Sequence, residues 1–277
     1  MPKILKVEGL WIPESLEEAR QIIPGITEEQ YRKWLEDGAV ELLLESVCLP
    51  RRRPAAIISG KTLAPDLEEI TPLRLVKLQV EVSVLLSDDE FKSESLSDEV
   101  WVPAHVFEED KVEYLWDIIA KTTESLCRRY YIEEIELPAR LDRYLELKEK
   151  KETVLTSRCF SAPEDVSLDK VRVRIVGEAE GWVLDPDESY ILKLQYVRIP
   201  PDLLPTDVEA RSSFHRCGWL LKVTNVDPGF EGHVYVMLSP QPGAPPLVIE
   251  KGARIVQMRL LKLSESLKGY SGQWKYR

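Results

Sequence analysis

Trp182-Val-Leu-Asp-Pro-Asp-Glu-Ser-Tyr190-Ile-Leu-Lys-Leu-Gln-Tyr-Val-Arg-Ile-Pro200-Pro-Asp202 holds two runs of strand-forming residues. The runs are Trp182–Leu184 and Tyr190–Ile199; Asp185-Pro-Asp divides them and Pro200-Pro-Asp ends them. Proline presets the turn backbone and aspartate bonds back to it, so each cluster stops a strand. The same rhythm runs in both directions, through Val171–Val176 before and Trp219–Val223, His233–Leu238, Leu247–Ile249 and Arg254–Leu263 after. Asp227-Pro-Gly and Lys251-Gly supply further turns. Many short strands with almost no helical spacing predict a β-sandwich or distorted barrel for residues 166–277.

Upstream the texture is mixed. Ser15-Leu-Glu-Glu and Thr27-Glu-Glu-Gln are helix-capping patterns, the second leading into Tyr31–Leu35 and a stop at Gly38. Leu73–Leu86 alternates apolar and polar residues and predicts a strand with one buried face, followed by an acidic loop over Ser87–Asp98. Val112–Tyr131 and Pro138–Leu155 have helical spacing, and the charge run Glu146–Glu152 reads as a solvated helix. From Val166 onward the chain carries 15 basic and 13 acidic residues, against 22 basic and 35 acidic before it. The expected organisation is therefore α+β overall, an α+β domain at 1–165 followed by a mainly-β domain at 166–277.

The acidic first part lacks the basic footprint that a nucleic-acid backbone requires. The apolar runs are strand-sized, and the amino terminus lacks a secretory pattern, so the expectation is a cytoplasmic protein with no membrane partner. Four cysteines (Cys48, Cys127, Cys159, Cys217) are widely spaced and only three histidines are present, so a zinc site is not expected. Asn225 is the single asparagine among 277 residues, of which 37 are basic and 48 acidic, a balance that points to a thermophilic source.

Three stretches carry chemistry. Arg211-Ser212-Ser213 sets a guanidinium beside two hydroxyls at what reads as a short helix start, a cradle for phosphate oxygens or simply an N-cap with a surface arginine. Asp227-Pro-Gly-Phe230 reads as a tight turn whose aromatic serves either a ligand or the core. Asn225 offers an amide that can pair with a pyrimidine edge or satisfy a turn. Arg254 and Gln257 support either a ligand or their own strand.

These stretches, in order, resemble the dUTPase/dCTP deaminase superfamily. The resemblance rests on Ala210–Gly218, on Val226-Asp227-Pro-Gly-Phe-Glu-Gly232, on Gly252-Ala-Arg254-Ile-Val-Gln257, and on the tail Gly269–Tyr276. It covers about the last 110 residues, and residues 1–165 show no comparable match, although the helix and strand of Thr27–Leu44 resemble the way such deaminases begin. It implies a distorted β-barrel, jelly-roll-like β-clip of the dUTPase type and a homotrimer whose sites form between subunits. Arg211, Ser212 and Ser213 would hold phosphates and Asp227 the sugar hydroxyl and, in dUTPases, the attacking water. Phe230 would pack on the deoxyribose, with Gln257 in support and Tyr270 and Lys275 in a lid. Mg²⁺ would arrive on the triphosphate.

Two features depart from that pattern. Ser212 and Arg216 keep the spacing that assists deamination, but the expected glutamate, ten residues after Asp227, is Met237. A thioether neither takes nor delivers a proton at neutral pH. The H-x-E…P-C-x-x-C pattern of zinc deaminases is absent as well. The hairpin between Ser212 and Asp227 is about two residues short, which bears on base selection and on the role of Asn225. Three readings follow: a dUTP pyrophosphohydrolase using Asp227, a non-catalytic nucleotide-binding scaffold, and, against Met237, a dCTP deaminase.

Overall fold

The computed structural model describes residues 6–50, 67–86, 92–160, 162–164, 166–223 and 225–267. In chain order the elements are β1 (Val7–Trp11), α1 (Leu16–Ile22), α2 (Glu28–Asp37), β2 (Val40–Pro50), β3 (Leu67–Ile70), β4 (Leu73–Leu86) and β5 (Lys92–Pro103). Then come α3 (Val112–Cys127), β6 (Ile135–Glu136), α4 (Leu141–Lys150), β7 (Glu152–Leu155), β8 (Arg158–Cys159) and β9 (Val166–Leu184). The chain continues with β10 (Tyr190–Arg198), β11 (Leu203–Ala210), α5 (Ser212–Arg216), β12 (Trp219–Lys222), β13 (Glu231–Pro240), β14 (Leu247–Glu250) and β15 (Arg254–Leu263).

The expected division at residue 165 is corrected. One unit comprises Met1–Pro72 with Trp182–Arg277, and the other is the continuous segment Leu73–Gly181. The reason is strand pairing. β2, from the amino-terminal part, hydrogen-bonds along its first half to β15, with Val40 opposite Met258 and Glu41 opposite Gln257. Its second half pairs with β10, with Leu44 opposite Leu194 and Val47 opposite Leu192. The resulting antiparallel order is β1-β15-β2-β10-β13-β12, with β11 added to β15 and β3 to β2. Thr27–Leu44 is thus part of this one β unit.

Local chemistry explains how β2 is delivered. Thr27 accepts from the Gln30 amide while the Gln30 side chain accepts from the Thr27 N–H, a complete capping box. Gly38 closes α2 in the left-handed region at φ 65°, and the chain turns directly into β2. Where β2 passes from β15 to β10, the β10 register is irregular at Lys193–Leu194, and the buried side chain of Gln195 bridges the gap. Its Oε1 accepts from Leu43 N–H (3.1 Å) and Gln30 Nε2 (2.8 Å), and its Nε2 donates to the Gly25 carbonyl (3.2 Å). Trp34, Leu42, Leu44, Leu192, Leu194, Trp219 and Met258 are fully or almost fully buried around this point in one apolar cluster.

The second unit is an antiparallel sheet in which β4 lies between β5 and β9, with β7 on β9. β4 has the bounds read from sequence, and its alternate residues Leu78, Val80, Val82 and Val84 are buried with Leu115, Trp116 and Ile119 of α3. The acidic loop expected over Ser87–Asp98 is corrected: from Lys92 onward this stretch is β5, paired residue for residue with β4 from Leu86 back to Leu75. Its Ser and Glu side chains face solvent on the edge strand of the sheet, so polarity there reflects exposure and not loop structure. The helix expected through Leu155 ends at Lys150, because Lys151 takes φ 59° and β-branched Thr153 and Val154 pair with β9.

Glu146 ties α4 to β7. Its carboxylate accepts from Arg143 Nη1 (2.7 Å), Thr153 Oγ1 (3.0 Å) and Lys150 Nζ (3.3 Å). These bonds, Arg143 first, hold its carboxyl down at about 2, below an ordinary value of 4.5. A depressed carboxyl stabilises the fold fully above its unfolded value, and that contribution is lost as pH falls toward the folded one. Glu146→Gln is therefore expected to lower the melting temperature at pH 6, and the gap to the native protein is expected to close near pH 2. Calorimetry at the two pH values checks this. For the β unit, Gln195→Leu strands the Leu43 N–H and the Gly25 carbonyl and removes one of the Gln30 side-chain bonds, and a loss of about 3 kcal/mol is expected in urea unfolding with an unchanged slope.

Candidate functional site

Arg211 is the N-cap of α5, and its backbone N–H is anchored on the Ile255 carbonyl of β15 at 3.3 Å. α5 runs for only five residues, so its dipole is small, and its hold on the fold is Phe214, buried in the same apolar cluster as Phe230. Ser213, Arg216 and Cys217 are exposed on it. The backbone of Ser212 opens the helix, while its side chain lies outside the described atoms.

Arg211 does not stand as the lone surface cation that its motif suggests. Its Nη1 lies 2.7 Å from Glu41 Oε1, and Arg254 Nη1 lies 3.2 Å from Glu41 Oε2. Lys33 Nζ approaches the same Oε2 at 3.5 Å. Glu41 is missed by motif reading, because nothing local to β2 marks it and its two arginine partners are 170 and more residues away along the chain. Gln257 sits opposite Glu41 on one side and opposite Glu209 on the other, and donates to Glu209 at 3.4 Å. Strand support is thus one of its roles.

The second group of expected residues lies between β12 and β13. The Phe230 N–H donates to the Asp227 carbonyl at 3.1 Å, and Gly229 takes φ 77°. With Pro228 before that glycine, this is a type II turn, and only glycine adopts its third residue without strain. The carboxylate of Asp227 and the amide of Asn225 are both exposed. Phe230 is 9% exposed and packs in the core. Its neighbours Gly229 and Glu231 border a cleft of about 410 Å³, together with Ile22, Pro200, Pro201, Leu267 and Arg198. Arg198 Nε meets Glu231 Oε1 at 3.1 Å in that lining. Neither Arg211 nor Arg216 pairs with Asp227 among the described residues.

Met237 lies in the middle of β13, opposite Ile191 on β10 and Lys222 on β12. Alternation places it on the partly exposed face of the strand, the face that also carries Glu231, His233 and Tyr235. Trp219, on β12, is fully buried, and its Nε1 donates to the Pro245 carbonyl at 3.0 Å. Tyr270 and Lys275 lie outside the described residues. All four cysteines are free thiols, and burial pushes the Cys127 thiol up to about 12, with Cys159 adding to the shift.

No helix of the described residues is long and apolar enough to cross a membrane. Comparison with known proteins supplies the family. The model of dCTP deaminase-like domains matches residues 137–263, an interval that begins before residue 166, the start expected from the motifs. A dUMP-forming dCTP deaminase of Methanobrevibacter smithii is 40% identical over 86 residues, 30% of this chain and 43% of that protein. A dCTP deaminase of Thermococcus gammatolerans is 35% identical over 102 residues, 36% of this chain and 64% of its own. A dUMP-forming dCTP deaminase of Persephonella marina is 30% identical over 124 residues, 41% of this chain and 68% of its own. The chain thus spans less than two thirds of the first two relatives and slightly more of the third. With that coverage and the ordered motifs from Arg211 to Gln257, the chain belongs to the dCTP deaminase-like family of the dUTPase/dCTP deaminase superfamily.

Proposed function

We propose that this protein binds a deoxypyrimidine nucleoside triphosphate and hydrolyses it between the α- and β-phosphates, converting dUTP to dUMP and pyrophosphate. The observation that carries the choice of reaction is Met237. Deamination at the base needs a group that moves protons at that strand position, and the relatives' names describe that reaction for them. In this chain the position holds a thioether between Ile191 and Lys222. The nearest carboxylate on the same strand face, Glu231, is six residues away, about 20 Å at strand rise, and is paired with Arg198.

Phosphoanhydride hydrolysis asks for different groups, and these are present. Asp227 is an exposed carboxylate on a turn held by a backbone bond and by proline and glycine, suited to take a proton from water. The water oxygen attacks the α-phosphorus, the bond from that phosphorus to the bridging oxygen breaks, and pyrophosphate leaves. Arg211, Arg254 and Lys33 offer positive charge for the phosphates, and Ser212, Ser213 and Gln257 offer neutral polar groups. Among the described residues no three His, Cys, Asp or Glu side chains gather to hold a metal ion. In this scheme Mg²⁺ is the counter-ion of the triphosphate, where it neutralises phosphate charge. Asn225 and Arg216 face the base and sugar in this reading, and Phe230 backs the deoxyribose. A homotrimer completes each site.

A second reading, a nucleotide-binding scaffold without turnover, is favoured by one specific feature: Arg211 is already engaged by Glu41 in the free chain. Product analysis separates the readings. With Mg²⁺, dUTP is expected to yield dUMP and pyrophosphate, and dCTP to release no ammonia. Binding of both without products would support the scaffold, and ammonia from dCTP would overturn the argument from Met237. Asp227→Asn is expected to lower kcat on dUTP by about 10²–10⁴-fold while leaving the mass measured by light scattering at that of the native assembly; unchanged turnover removes Asp227 from the mechanism.

A further inference from the structure

Glu41 is the side chain on which the basic groups of this face converge. It stands on β2 at the register position of Gln257, its side chain is 15% exposed, and it receives Arg211 from the start of α5, Arg254 from the start of β15 and Lys33 from α2. Arg254 also reaches Glu29 Oε1 through Nη2 at 3.2 Å. The next carboxylate along the row, Glu209, is held by Gln257. Three cations on one largely covered carboxylate exceed what a structural ion pair needs, because a second and third like charge repel the first. A surface pair also adds little to stability. A guanidinium has five N–H donors, so Arg211, on one oxygen of Glu41, and Arg254, on one oxygen each of Glu41 and Glu29, both have more donors than these contacts use. The Arg211 and Arg254 side chains remain 42% and 35% exposed.

We propose that Glu41 is a positioning residue for polyphosphate. Its carboxylate holds the guanidinium groups of Arg211 and Arg254 side by side, one on each oxygen, so that their remaining donors meet neighbouring phosphate groups without first having to be ordered. This inference rests on the triphosphate reading above and adds to it a residue that touches no substrate atom. The gain is entropic: two long side chains that otherwise sample many rotamers are ordered before the ligand arrives. Lys33 on the same oxygen as Arg254 offsets the negative charge that Glu41 would otherwise present to the ligand.

The test uses the full-length protein, inorganic tripolyphosphate as probe, and titration calorimetry. Glu41→Gln is expected to weaken tripolyphosphate binding about 10- to 100-fold and to raise KM for dUTP with kcat within about twofold. Glu41→Asp, which keeps the charge but shortens its reach, is expected to fall between the two and to serve if the glutamine variant fails to fold. Unchanged or tighter tripolyphosphate binding in a folded Glu41 variant overturns the inference, since it makes Glu41 a mere ion-pair partner or a competitor for the arginines. Absence of binding to the native protein overturns the triphosphate reading itself, a different result from loss of the difference between native and variant.

Discussion

β2 changes partners midway along its length, leaving β15 for β10, and the β unit depends on how that step is bonded. A strand that crosses between neighbours leaves backbone groups without ladder partners at the crossing, and a buried N–H without an acceptor costs more than a made bond returns. Here the Leu43 N–H finds the Gln195 side chain, Leu44 donates to the Ala253 carbonyl, and Gly252 donates back to Leu44. Gln195 in turn takes the Gln30 amide and donates to the Gly25 carbonyl. One side chain thereby closes the sheet and fixes the approach of α2 at the same time.

The same crossing determines which charged side chains meet. Because the first half of β2 lies against β15, Glu41 lands opposite Gln257 and within reach of Arg211 and Arg254. The carboxylate and the guanidinium groups belong to segments separated by the whole of Leu73–Gly181. That segment has its own apolar cluster of Leu78, Val80, Leu115, Trp116 and Ile119. An insertion that buries its own core adds only a slowly growing chain-closure cost to the unit it interrupts, which is why β2 still finds its partners across it.

Membership of the family and retention of its reaction are separate questions, since function lives in the site. The chain keeps the Arg211-Ser-Ser start of α5, the type II turn at Asp227 and the β15 segment ending in Gln257, and in the middle of β13 it carries a side chain unable to transfer protons.

Much of this was legible in the sequence because it depends on neighbours along the chain. The capping box at Thr27, the left-handed stop at Gly38 and the turn Asp227–Phe230 are set by short-range sterics and hydrogen bonds, and the alternation of Leu73–Leu86 marks its buried face. The motif order from Arg211 to Gln257 was likewise readable, and with it the superfamily. Other features depend on which distant segments meet. Polar Lys92–Asp98 became a strand only because β4 supplies its ladder; Phe230 entered the core because the sheet covers it. The domain division moved because β2 pairs with strands more than 140 residues away. Glu41 acquired its two arginines for the same reason. Composition and periodicity report the local preferences of a segment, while strand partners and charge partners are chosen by burial and pairing across the folded chain, and that choice the tertiary structure alone decided.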